Sequence, residues 1–227
     1  MITYDLINIV AKGLKELIND VVFVGGAFVN LYSTDASATD IRPTDDIDCV
    51  VEVTHRSGYN VFEEHLRKLG FRNDLEKNAP ICRYVFNGIK VDFIPTTENI
   101  LGFQNKWYPA GFKNAIYHKF PDGLEIKIFS SVYYLASKLD AFWDRGRSDI
   151  RLSTDFEDII FILDSRKEIV SEIKDAEASV KNYIKEKFKY LINHANISEG
   201  IICVLPVDSN ISRVNFIKDL ITEIVSI

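Results

Sequence analysis

Three aspartates and one glycine pair carry the pattern with the most chemistry in it. Asp46-Ile47-Asp48 heads an apolar run, and i, i+2 spacing on a strand puts both carboxylates on one face. Gly25-Gly26 closes an earlier apolar run, Val21 to Val24, and a helix-like segment follows. A glycine pair at a strand end lets backbone come close to a phosphate. Asp92 sits between Val91 and Phe93. Hard divalent cations take carboxylate, phosphate and water oxygens. Nucleotidyl transfer needs a positioned cation and little covalent chemistry from protein. The set therefore points to a site for a metal-bound nucleoside triphosphate.

A strand-end aspartate also serves as a cap or simply faces solvent, and Asp45 reads that way. Asp46, Asp48 and Asp92 differ because their neighbours imply buried strands, where a bare carboxylate is costly without a cation. Asp92 joins the other two only if its strand lies beside theirs with the same face up.

The elements that must position these groups follow from periodicity. Residues 4–18 read as an amphipathic helix with Leu6, Val10, Leu14, Leu17 and Ile18 inward. Residues 21–24 and 46–53 read as strands, 27–32 as the start of a helix, 33–44 as a polar loop and 60–69 as a helix. Residues 81–86 and 89–94 flank Asn87-Gly88, a strong hairpin signal. Residues 95–113, with Pro95, Gly102, Pro109 and Gly111, read as loop. A second hairpin turns at Pro121-Asp122-Gly123. From Ser130 the period is helical: a helix to about Gly146, one over 156–163, one long or two short helices over 167–194, and a last one from about 212 to 225. The fold class expected is α/β (α+β), with residues 1–129 as an αβ part and 130–227 as a helical part.

The net charge of -6 argues against a protein that coats nucleic acid non-specifically, since such proteins are usually basic. Cys49, Cys82 and Cys203 are scattered among apolar residues and read as core residues, not ligands. The four histidines form no cluster. Trp107, Tyr108 and Phe112 suit base stacking or, more simply, hydrophobic packing. There is no signal-peptide pattern and no apolar run of transmembrane length. A reducing, cytoplasmic setting without a membrane is expected.

The ordered set Gly25-Gly26, Asp46-Ile47-Asp48 and Asp92 resembles the nucleotidyltransferase superfamily with the DNA polymerase beta-like fold. Its hallmark is Gly-Gly or Gly-Ser, a D-x-D pair and a later single Asp. The wide spacing from Gly26 to Asp46, with Arg42-Pro43-Thr44-Asp45-Asp46-Ile47-Asp48, looks like the AbiEii/AbiGii toxin-type group. Lys138, Ala141 and Arg145, followed by Asp155 and Asp158, are similar to that group's Lys-x-x-Ala-x-x-x-Arg and Asp-x-x-Asp motifs. Thr154 departs from it, where relatives often carry Lys or His. The resemblance covers roughly residues 20–165, and residues 166–227 carry no motif.

The resemblance implies a mixed sheet with flanking helices, and a C-terminal helical subdomain closing a cleft. It implies Asp46, Asp48 and Asp92 as ligands of Mg²⁺ or Mn²⁺. Gly25 and Gly26 would cradle phosphates of an NTP such as ATP or GTP, with Thr44 in the nucleotide site. Arg42 suits a phosphate contact or bracing of the loop. Lys138 would reach the triphosphate. Asp155 and Asp158 would orient Lys138 or Arg145, assist as a base, or form a purely structural ion pair. The acceptor implied is RNA, often tRNA, in a toxin or phage-defence role with an antitoxin partner. Two other readings stand beside it: a small-molecule nucleotidyltransferase of the aminoglycoside-modifying kind, whose cationic acceptor suits the acidic charge, and a non-catalytic nucleotide-binding module.

Overall fold

Val21, Val22, Phe23 and Val24 have apolar side chains and all four are buried, as expected of a strand covered on both faces. This strand is central to a computed structural model that describes residues 3–35, 44, 46–53, 55–102, 104–146, 149–207 and 209–227. The protein is a mixed α/β chain that divides into two compact units. One comprises Met1–Phe28 with Arg42–Ser130, the other Val29–Ile41 with Ser131–Ile227.

The first unit opens with helix α1 (Thr3–Leu14). Its buried stripe is Ile7, Val10, Ala11 and Leu14. The helix is shorter than its periodicity implies. Lys15 takes a positive φ of 49°, and the chain tightens into a 3-10 helix over Lys15–Asp20. Strand β1 (Val21–Val24) follows, then a 3-10 helix over Gly26–Tyr32. Next come β2 (Asp46–Val51), α2 (Arg56–Lys68), the short β3 (Arg72–Asn73), β4 (Arg83–Phe86) and β5 (Ile89–Pro95). The unit ends with β6 (Ile116–Lys119) and β7 (Glu125–Ile128).

Residues 95–113 are not the plain loop that their prolines and glycines imply. They contain α3 (Glu98–Leu101) and α4 (Tyr108–Lys113). Pro109 stands in the first turn of α4, where its missing N–H costs nothing. Gly102 lies just past α3 with φ 78°. Both residues mark helix ends.

The seven strands form one sheet in the order β3-β4-β5-β2-β1-β7-β6. β1 runs antiparallel to β2 and parallel to β7, and β2 runs parallel to β5. Asn87 and Gly88 both have positive φ, the requirement of a two-residue type I′ hairpin, and they join β4 to β5. Phe93 is fully buried, with Phe62, Phe71 and Tyr84 arranged edge-on around its ring at 5.5–5.8 Å.

The second unit is helical: α5 (Ser131–Ala141), α6 (Thr154–Ser165), α7 (Ile169–Asp175), α8 (Ala178–Ile192), α9 (Ile197–Val204) and α10 (Ile211–Ser226). The mixed-charge stretch after Lys167 is thus two helices, α7 and α8, and α9 was not anticipated from periodicity. Ser153 caps α6 by accepting from the Phe156 N–H, and Asn210 caps α10. Val29–Ile41 belongs to this unit although it lies early in the chain. The Ser165 carbonyl accepts from the Thr34 and Asp35 N–H groups, Arg166 donates to the Tyr32 carbonyl, and the Tyr32 and Tyr134 rings pack at 4.4 Å. Among the described residues no helix is long and apolar enough to cross a membrane.

The aromatic cluster yields a direct test. Phe93→Ala should destabilise the first unit by about 3–5 kcal/mol, and Phe93→Leu by clearly less. Urea denaturation followed by tryptophan fluorescence, comparing midpoints at constant slope, measures both.

Candidate active site

The carboxylate site is built by strand register. Asp46 and Asp48 alternate outward from β2 while Ile47 and Cys49 are fully buried on the other side. β5 runs beside β2 with Asp48 opposite Asp92 and Asp46 opposite Lys90. Residues in register on neighbouring strands share a face, so all three aspartates stand on one side of the sheet, on strands about 4.8 Å apart. Asp92 is buried, and Asp46 is more open, its side chain 42% exposed.

Gly25 meets this group from β1. Val24 pairs with Asp48, and the next residue, Gly25, turns with φ 85°. A Cβ built on Gly25 would lie 2.0 Å from Asp48 Oδ2. Both the backbone conformation and the carboxylate therefore require glycine here. Gly26 opens the 3-10 helix beside it. Thr44 carries a buried hydroxyl that has no hydrogen-bond partner among the described residues. Arg42 lies outside the described residues.

One member of the site was not named from the sequence. Arg83 on β4 pairs in register with Asp92. Its guanidinium grips Asp92 with two bonds, Nε to Oδ1 at 2.7 Å and Nη2 to Oδ2 at 2.8 Å. The same Nη2 reaches Asp46 Oδ2 at 3.2 Å. The hydrogen bond to Asp92 raises the guanidinium above its ordinary pKa, partial burial opposes this, and the charges of Asp92, Asp46 and Asp48 add to the rise. A two-residue Asn87-Gly88 turn fixes the hairpin register and sets Arg83 opposite Asp92, so the signal was there to be read. Among the described residues no group of three or more carboxylate, histidine or cysteine side chains is already arranged as a metal site, and here the Arg83 guanidinium ties Asp92 to Asp46.

The cysteines take no part. Burial pushes the Cys49 thiol far up and the Cys82 thiol up to about 12, so neither becomes a thiolate ligand at neutral pH. Cys203 is exposed, contrary to the core position its apolar neighbours imply, because those neighbours lie on α9, which has an open face. Trp107 is buried, which fits packing better than base stacking.

The second unit holds its own ionic cluster. Asp155 and Asp158 are one turn apart on α6 and both meet Lys138 of α5. Lys138 Nζ lies 2.6 Å from Asp158 Oδ2 and 3.4 Å from Asp155 Oδ1. Arg145, from the π-helical turn Phe142–Gly146, donates to both oxygens of Asp155 at 2.9 and 3.2 Å. Lys138, Asp155 and Asp158 are buried, whereas the Arg145 side chain is 68% exposed. Two cations balance two anions, the condition under which buried charge is tolerated. Burial pushes the Asp155 carboxyl up, but the hydrogen bond from Arg145 and the charges of Lys138 and Arg145 outweigh it and hold it below its ordinary value. A carboxylate so held and covered is a weak base. The geometry supports the orienting or ion-pair roles for Asp155 and Asp158 over a base role.

Two results should follow. Asp158→Ala leaves Lys138 buried without its nearer carboxylate and should cost about 3–5 kcal/mol, most of which Lys138→Met with Asp158→Leu should recover. Guanidinium denaturation measures this. Because the Asp155 pKa is depressed on folding, its contribution is fully present above the ordinary carboxylate value of 3.8 and is lost as pH falls through the lower, folded value. The stability gap between wild type and Asp155→Asn should therefore stay constant down to about pH 4.5 and close below pH 3.8.

Comparison with known proteins adds no assignment: no family model matches the chain, and no curated protein does.

Proposed function

We propose that this chain is a magnesium-dependent nucleotidyltransferase that moves NMP from an NTP to an acceptor hydroxyl. The observation that carries this reading is the parallel register of β2 and β5, which sets Asp92 beside Asp48 with Asp46 on the same face and Gly25 against them. The donor set is all oxygen, the chemistry that Mg²⁺ or Mn²⁺ takes. Thr44 offers a buried hydroxyl with no described partner, which suits a nucleotide contact. Asp46, Asp48 and Asp92 would hold the cation. When bound, the cation would neutralise the triphosphate and make the acceptor hydroxyl more acidic.

The chain's own part is positioning. Gly25 has no side chain, so its backbone can come close to a phosphate brought to the strand end beside Asp48. Gly26, at the start of a 3-10 helix, adds its N–H at the same place. The acceptor hydroxyl gives up its proton to solvent, its oxygen attacks the α-phosphorus, the bond to the bridging oxygen breaks, and pyrophosphate leaves. For Lys138 the reading is narrower. Its ammonium is tied to two carboxylates within its own unit, so a contact with the triphosphate requires it to leave Asp158. The more exposed Arg145 presents the outward charge of that cluster.

The acceptor we favour is RNA, including tRNA, in a toxin or phage-defence setting with an antitoxin partner. The test is purified chain with each labelled NTP in turn, Mg²⁺ and total tRNA. Wild type should label RNA, and Asp48→Ala should lose at least about a hundredfold of that activity, the order expected when a cation ligand is removed. Label on an aminoglycoside but never on RNA would move the acceptor to the small-molecule class. No label on any acceptor, with Asp48→Ala indistinguishable from wild type, contradicts the proposal.

A further inference from the structure

We propose that Arg83 is a built-in competitor of the divalent cation: it holds the carboxylate oxygens that the cation needs and has to be displaced when the cation binds. The inference rests on the metal-dependent reading of the same site and concerns how that site is regulated.

Three observations carry it. First, one nitrogen serves two strands. Nη2 lies 2.8 Å from Asp92 Oδ2 on β5 and 3.2 Å from Asp46 Oδ2 on β2, so it occupies oxygens of both carboxylates that would hold the cation. A cation of Mg²⁺ size sits about 2.0–2.1 Å from its oxygen ligands, so the two cannot share that position. Second, the grip on Asp92 is bidentate and uses both of its oxygens. This is the strong form of a guanidinium–carboxylate pair, fixed in geometry and not only in charge. Third, Arg83 belongs to the fold. It stands opposite Asp92 in a hairpin register set by the Asn87-Gly88 turn, and its side chain is only 19% exposed.

The physical need for such a group is plain. Three carboxylates on one sheet face repel each other in the cation-free protein, and Asp92 is buried. A guanidinium from the neighbouring strand offsets part of that repulsion. The same attraction then opposes the cation, because binding must break one bidentate pair and one bridging bond. Arg83 thus trades cation affinity for stability of the cation-free state.

Calorimetric titration of MnCl₂ into the metal-stripped chain tests this, with melting temperatures in EDTA and in excess Mn²⁺ as a second readout. Arg83→Gln should bind Mn²⁺ about tenfold or more tighter than wild type, the scale of one charge-assisted hydrogen bond. Its melting temperature should fall in EDTA and regain more on adding Mn²⁺ than wild type gains. Arg83→Lys keeps the charge but loses the bidentate grip, and should lie between the two; it carries the test if Arg83→Gln does not fold. Equal or weaker Mn²⁺ binding by the Arg83 variants, while Asp48→Asn abolishes binding, overturns this inference and leaves the metal-dependent reading standing. Absence of Mn²⁺ uptake by wild type and both Arg83 variants overturns both.

Discussion

Like charges on adjacent strand positions are the constraint on which the first unit turns. Parallel pairing of β2 and β5 sets Asp48 against Asp92, with Asp46 two residues along the same face. Like charges so placed destabilise the pairing, while the buried Ile47, Cys49, Val91 and Phe93 hold its register. The chain answers with Arg83 from β4, whose guanidinium joins Asp92 to Asp46 across the sheet. The order β4-β5-β2 is therefore both a hydrophobic solution, with Tyr84, Val91, Phe93, Ile47 and Cys49 fully buried, and an electrostatic one on the carboxylate-bearing face. β1 adds the last element, since only a glycine fits where Gly25 meets Asp48.

The second unit solves a similar problem by burial and pairing. Lys138 is buried on α5, and it is tolerated because two carboxylates one helical turn apart on α6 receive it. Arg145 completes the balance from the surface side. Such a cluster is specific more than it is stabilising: replacing the whole of it costs little, while removing one member costs much. The two units thus share one device, a fixed cation spanning two anions. At Arg83 it lies beside the partly exposed Asp46, and at Lys138 it is buried.

Much of this was legible in the sequence, for reasons that differ by element. Alternation in Asp46–Val51 put Asp46 and Asp48 on one face of their strand, and the Asn87-Gly88 turn marked the hairpin that carries Asp92; the pairing of β5 beside β2, which brings Asp92 to the same face, is a long-range contact with no local signal. Gly25 was legible because only a special backbone explains a glycine at the end of an apolar strand. Arg83 carries no pattern of its own: only the register that the Asn87-Gly88 turn imposes on β4 and β5 sets it opposite Asp92. The helices within residues 95–113 are hidden because proline and glycine mark helix ends as well as loops, as Pro109 and Gly102 show. The two-residue β3 lies at a sheet edge and α9 is a short helix with an open face, and neither has a strong periodic signal of its own. The grouping of Val29–Ile41 with the helical unit depends on long-range bonds to Ser165 and Arg166, which no local pattern reports.

The central claim is that a divalent cation takes the position now held by the Arg83 guanidinium. Crystals soaked with Mn²⁺ and a non-hydrolysable NTP, with data collected at the manganese absorption edge, address it directly. An anomalous peak is expected within about 2.0–2.6 Å of oxygens from Asp46, Asp48 and Asp92, with Arg83 turned away from Asp92. A nucleotide bound elsewhere, or no peak and the Arg83–Asp92 pair intact at saturating Mn²⁺, would contradict it.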